Sequence, residues 1–145
     1  MEKQIETVLR GGQFKKMMTN QLAGIREKYG LKRVEIEILY FLSRCGEQNT
    51  SKDICQYLNM NKGHISQAVE SLYEQGYLRA TPDTEDRRYI HYTVTEKAKA
   101  FSKETSRIWE GMIQKIFEGI SEEELAAFKK VAGKIEENMN RMLKE

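Results

Sequence analysis

Proline is nearly absent, with one residue in 145, and glycine stops at ten. That combination excludes a collagen-like or linker-dominated chain. Cysteine is scarce too. Cys45 and Cys55 cannot build a disulfide framework or a zinc site by themselves, and such sparse use fits a reducing compartment. No stretch approaches the roughly 18 consecutive apolar residues of a membrane span. The opening residues, MEKQIETVLRGGQF, are acidic in part and lack an apolar centre, so they do not read as a secretory signal. A cytoplasmic location with no membrane attachment is expected. Charge of one sign is also missing: 24 Lys and Arg face 22 Asp and Glu, a net of +2. Bulk electrostatics therefore do not announce a nucleic-acid binder.

What the chain has is helical rhythm. Its length suits one domain able to bury a core unaided, and its 32% charged residues are common in helical proteins. Residues 3–28 place Ile5, Val8, Leu9, Phe14, Met17, Met18, Leu22 and Ile25 at helical spacing, with an interruption at Gly11-Gly12. Gly30 marks a stop. A second helix, near 32–44, carries Val34, Ile38, Leu39 and Leu42 on one face, and Ile36, Tyr40 and Phe41 beyond it. A helix apolar on several sides is central to its fold.

The next stretch has two short helices. Thr50 and Asp53 form a capping box for the first, which turns Ile54 and Leu58 inward. Asn59-Met60-Asn61 breaks it. Asn61 caps the second, which turns Ile65, Val69 and Leu72 inward and ends near Gly76. The pair is a helix-turn-helix. After Gly76 the period changes. Tyr77 to Ala80 is extended, Pro82 to Asp86 is turn chemistry, and Arg88 to Val94 alternates like a strand. A hairpin directly after a helix-turn-helix is a wing. Thr95 then caps a long helix, and Ser121 with Glu124 boxes the last one. That helix sets Leu125, Phe128, Ala132, Ile135, Met139 and Met142 at steps of three and four, a short heptad seam. The fold class expected is mainly α with a small β-hairpin wing.

A recognition helix meets the major groove with polar side chains at its N-terminal turns. Lys62, His64, Ser66 and Gln67 occupy those positions, with Gly63 allowing close approach. Lys62 and Ser66 suit phosphates, Gln67 can pair with adenine through two bonds, and His64 can meet a base edge or phosphate. At the wing tip, Arg87 and Arg88 suit the narrow minor groove. Asp86 beside them repels phosphate but can orient an arginine fork. Charge is a constraint here: residues 50–95 hold five basic and six acidic side chains. Binding must rest on a few placed cations and helix N-termini, and on two copies. The rival is a helix-turn-helix module that binds protein only, for which arginines beside a carboxylate at the wing tip have no evident use.

Together these residues resemble the MarR family of bacterial winged-helix regulators. The family's wing reads Asp-x-Arg, five residues, then an aliphatic residue and Thr; this chain has Asp86-Arg87-Arg88, Tyr89 to Thr93, then Val94-Thr95. The resemblance extends to the helices at both ends. It implies that 1–30 and 96–145 interlock two chains as a homodimer, with 31–95 as the winged DNA-binding region of one intertwined domain. It implies double-stranded DNA as partner, a pseudo-palindromic operator, Arg88 in the minor groove, Asp86 orienting it, and repression released by a small aromatic or phenolic effector. Gln67 departs from the arginine that family recognition helices often carry there.

Other chemistries find little support. No nucleophile elbow, phosphate-cradling glycine loop or zinc helix motif is present, so no enzyme activity, cofactor or metal is expected. Glu122 to Glu124 suit a helix dipole. Of two histidines, His64 lies on the DNA-facing helix and His91 on the wing strand, expected at a plain exterior position. Thiol-oxidation sensing would use Cys45, whose neighbour Arg44 favours thiolate, or Cys55. No motif in the sequence marks pocket residues for an effector.

Overall fold

A computed structural model of the chain describes residues 12–144. The expected helical positions Ile5, Val8 and Leu9, and Gly11 of the expected interruption, lie outside the described residues. Described helices are α1 (Gly12–Gln21), α2 (Ala23–Tyr29), α3 (Arg33–Leu42), α4 (Ser51–Leu58), α5 (Lys62–Glu74), α6 (Glu96–Ile116) and α7 (Glu122–Met142). Strands β1 (Leu78–Pro82) and β2 (Ile90–Val94) lie between α5 and α6. The fold is thus mainly α with a two-stranded wing, as the periodicity indicates.

The chain divides into two compact units, one of Leu22–Trp109 and one holding the described residues on either side, 12–21 and 110–144. Helix α6 contributes to both. In the first unit, α3, α4 and α5 bury Ile36, Ile38, Leu39, Leu42, Ile54, Ile65, Val69 and Leu72. A fully buried aliphatic side chain contributes about 1.5–3 kcal/mol. This core holds the helix-turn-helix in place and leaves the other face of α5 open.

Local chemistry sets most boundaries. The Thr50 hydroxyl accepts from the Asp53 amide, and the Asp53 carboxylate accepts from the Thr50 amide. Asn61 accepts from the His64 amide at 3.0 Å, and Ser121 with Glu124 repeats the reciprocal box. Each such cap stabilises by about 1 kcal/mol. Asn59 ends α4 at φ 53, and Gly76 follows α5 at φ 80, the left-handed region that glycine and asparagine tolerate best.

Three boundaries differ from the sequence-based expectation, one of them the end of β1, which runs on through Pro82 instead of stopping at Ala80. The first helix is divided at Leu22, whose ψ of −1 opens one turn while the Arg26 amide still bonds the Leu22 carbonyl at 2.9 Å. Strand β2 begins at Ile90, not Arg88. The Arg88 amide donates to the Asp86 carboxylate at 3.1 Å, and the Tyr89 amide to the Asp86 carbonyl at 3.0 Å. Those bonds curl Arg88 and Tyr89 into the tip.

Within the hairpin, Leu78 pairs with Val94 and Pro82 with Ile90, antiparallel. Thr50 adds an isolated bridge to His91, and the Tyr92 amide donates to the Asn49 carbonyl at 3.0 Å. The wing is therefore tied to the segment that enters α4. No helix among the described residues is long and apolar enough to cross a membrane.

Candidate nucleic-acid interface

The first two turns of α5 are open on one face. Lys62, Gly63, His64, Ser66 and Gln67 are all exposed, while Ile65, Ala68, Val69 and Leu72 are buried. The alternation follows from 3.6 residues per turn: every residue facing the core is apolar, and the polar ones have nowhere else to point. No acidic residue sits in the first turn of α5, in contrast with Asp53 in α4 and Glu122 to Glu124 in α7. The positive end of the helix dipole is left unneutralised by side chains, with Lys62 added to it, and suits a phosphate. Gly63 has no internal reason to be glycine. A Cβ there would meet Asn61 Oδ1 at 3.4 Å, an ordinary contact.

At the wing tip Arg87 and Arg88 are exposed, the Arg88 side chain 89% so. Arg88 Nε donates to Asp86 Oδ1 at 3.0 Å and Arg88 Nη2 to Asp86 Oδ2 at 2.8 Å, a two-bond fork. The fork, with the Arg88 amide, holds the Asp86 carboxyl below the usual carboxylate range. It also pushes the Arg88 guanidinium further up. An exposed pair of this kind adds little stability, but it fixes where the guanidinium points.

His91 is not the plain exterior position expected of it. Its ring is half-buried, with Nδ1 on the Asn49 side-chain oxygen and Nε2 3.6 Å from an Asp83 carboxylate oxygen. Asn49 itself is buried. The pair anchors the wing to the start of the helix-turn-helix. Nothing local in the sequence marks it, because residues 49 and 91 meet only through the fold.

The thiol expectation also changes. Burial pushes the Cys45 thiol up, away from thiolate. Arg44 does not serve it: its guanidinium lies 4.7 Å from the centre of the Tyr40 ring. Several aromatic residues of the helices are taken up in packing. Tyr29 meets Phe101 edge-on at 5.1 Å, Tyr40 meets Trp109 at 5.3 Å, and Phe41 stacks on Tyr57 at 4.5 Å.

An exposed helix N-terminus beside a projecting hairpin is the arrangement of winged DNA-binding domains, and residues 31–98 match the family model described as a winged helix DNA-binding domain. A MarR transcriptional regulator from Methanosarcina mazei Go1 superposes with a TM-score of 0.70 at 20% identity, covering 99% of each chain. The chain has the MarR fold. The MepR–DNA complex of S. aureus shares that fold with a TM-score of 0.64 at 18% identity, over 91% of this chain and 92% of MepR. In sequence, the transcriptional regulator AdcR of Streptococcus pyogenes serotype M6 is 32% identical over 74 residues, 51% of this chain and 49% of AdcR. The chain spans about half the length of the curated relatives it matches. Within the MarR fold, residues 31–98 contain α5 and the whole wing.

Proposed function

We propose that this chain is a sequence-specific, double-stranded DNA-binding transcriptional regulator. In this reading it acts as a homodimer on a pseudo-palindromic operator and represses until a small aromatic or phenolic effector releases it. The observation that carries DNA binding is the pairing of an acid-free, exposed α5 N-terminus with the Asp86–Arg88 fork on the wing. Lys62 and Ser66 take phosphates, His64 and Gln67 meet base edges, and Arg87 and Arg88 enter the minor groove. Asp86 holds Arg88 in place. Support also comes from the S. aureus MepR–DNA complex, whose protein has the same fold. Repression and the effector rest on the family resemblance.

Dimerisation has support of its own. On α7, Val131, Ile135 and Met139 recur every four residues and are exposed, followed by Met142. An apolar row of this length suits burial against another helix.

The test is selection from a random duplex library at several salt concentrations, with wild type and Arg88→Ala. Retention of a palindromic subset that falls with salt is expected, with a loss of about tenfold for the variant. Equal retention by both proteins removes the wing from the interface. No retention by wild type at low salt favours the protein-binding alternative.

A further inference from the structure

Helix α5 packs on α3 through a mainly apolar interface that carries one polar cluster. Glu35, in the first turn of α3, is 3% exposed. Its two carboxyl oxygens face two side chains at the far end of α5. Ser71 Oγ donates to Oε1 at 3.5 Å, Gln75 Nε2 donates to Oε2 at 3.4 Å, and Gln75 Nε2 also donates to Ser71 Oγ at 2.9 Å. No lysine or arginine among the described residues forms an ion pair with it. The buried Tyr77 phenol lies close by, pushed up by burial and then by the negative charge of Glu35.

A buried carboxyl with only neutral partners at long range adds little stability, and an aliphatic side chain of the same size serves a core as well or better. What it supplies is register. Ile65, Ala68, Val69 and Leu72 tolerate small rotations of α5, since apolar contacts are not directional. A three-way polar junction is directional: the buried Glu35 carboxyl loses its two half-buried donors when the helix turns. A helix surface lies about 5–6 Å from its axis, so a rotation of about 10° displaces a side chain by about 1 Å. That exceeds the tolerance of a hydrogen bond to a base edge.

Resting on the DNA-binding reading above, we infer that Glu35 is a positioning residue: through Ser71 and Gln75 it fixes the rotation of α5, and with it the aim of Ser66 and Gln67 at bases. It touches no DNA itself.

The experiment measures thermal stability and the affinity ratio between a library-selected duplex and a random duplex for wild type, Glu35→Gln, Glu35→Leu and Gln75→Met. Glu35→Gln keeps the polar junction and is expected to keep the ratio. Glu35→Leu is expected to lower the ratio about tenfold, the scale of one lost base discrimination, with random-duplex affinity and melting temperature nearly unchanged. Gln75→Met lies at a half-buried site that tolerates substitution, and is expected to lower the ratio in the same direction, so the inference stays testable if Glu35→Leu does not fold. A wild-type preference that Glu35→Leu or Gln75→Met leaves intact overturns this inference alone. So does a parallel fall in both affinities and in stability, which marks a purely structural residue. Absence of any wild-type duplex preference overturns the DNA-binding reading and this inference with it.

Discussion

Asp86 places a carboxylate on a surface proposed to meet phosphates, and the fork explains how that is tolerated. Its negative charge faces Arg88 through three side-chain bonds and one amide bond. A guanidinium has five N–H donors; the fork occupies one edge and leaves the others directed outward. Asp86→Ala is therefore expected to act in opposite directions on two duplexes. Binding to random duplex tightens, because a repelling charge is gone. Binding to a selected duplex weakens by a few fold, because Arg88 loses its fixed aim. Competition titrations of the two duplexes check this, and tightening on both would end the orienting role. Residues acting over a few positions, such as Asp86 on Arg88 or Asn61 on the His64 amide, were legible in the sequence because spacing alone brings them together. Glu35 and His91 were not. Each meets a partner about 40 positions away, and a glutamate in a helix's first turn looks like a dipole partner until the fold buries it.

Elements show the same division. Helices α4, α5 and α7 start where their caps say, since capping is local chemistry. The division at Leu22 and the late start of β2 escaped notice because propensity does not register a single turn opening or an arginine drawn into a loop. How α2 is held on α6 was equally hidden. Tyr29 OH donates to Glu104, and Lys28 Nζ reaches both Glu104 oxygens, at 3.0 and 3.1 Å. These donors hold the Glu104 carboxyl below its ordinary value of 4.5, the tyrosine first and the lysine second. A depressed carboxyl contributes stability that is present above the unfolded-state value and is lost as pH falls through the folded-state value. Tyr29 and Lys28 move the other way, raised by the same hydrogen bonds, so their contribution is present at neutral pH and is lost only as alkaline pH passes their folded-state values. Glu104→Gln is expected to flatten the loss of stability below the ordinary carboxyl value, read from urea midpoints on acidification. A variant that keeps the wild-type acid slope would show that the clamp carries no linkage. Lys28 is exposed and Tyr29 and Glu104 are only half-buried, so the effect is small.

At the scale of the whole molecule, charge sets a problem that the proposed homodimer would answer. Residues 50–95 carry a net charge of −1, so a single winged unit has few cations to place on phosphates. Counterion release by so few contacts gives weak, shallowly salt-dependent binding. Two units joined in one particle bind the second half-site at high effective concentration, which multiplies affinity without any new cation. The exposed row on α7 is where that joining is proposed, with Val131 at 56%, Ile135 at 50% and Met142 at 75% exposure. A charge in the middle of the row tests it. Ile135→Glu changes a side chain already half in solvent, so the fold of a single chain bears little cost, whereas a carboxylate pressed against a partner helix is expensive. Sedimentation at micromolar concentration is expected to show wild-type dimers and variant monomers. The variant is expected to bind a selected palindrome much more weakly than wild type, with a salt slope about half as steep, while a single half-site is bound equally by both. A variant that remains dimeric moves the interface away from α7. A variant that is monomeric yet holds the palindrome with the full slope would show that one winged unit suffices, and that the small net charge of residues 50–95 is no obstacle to it.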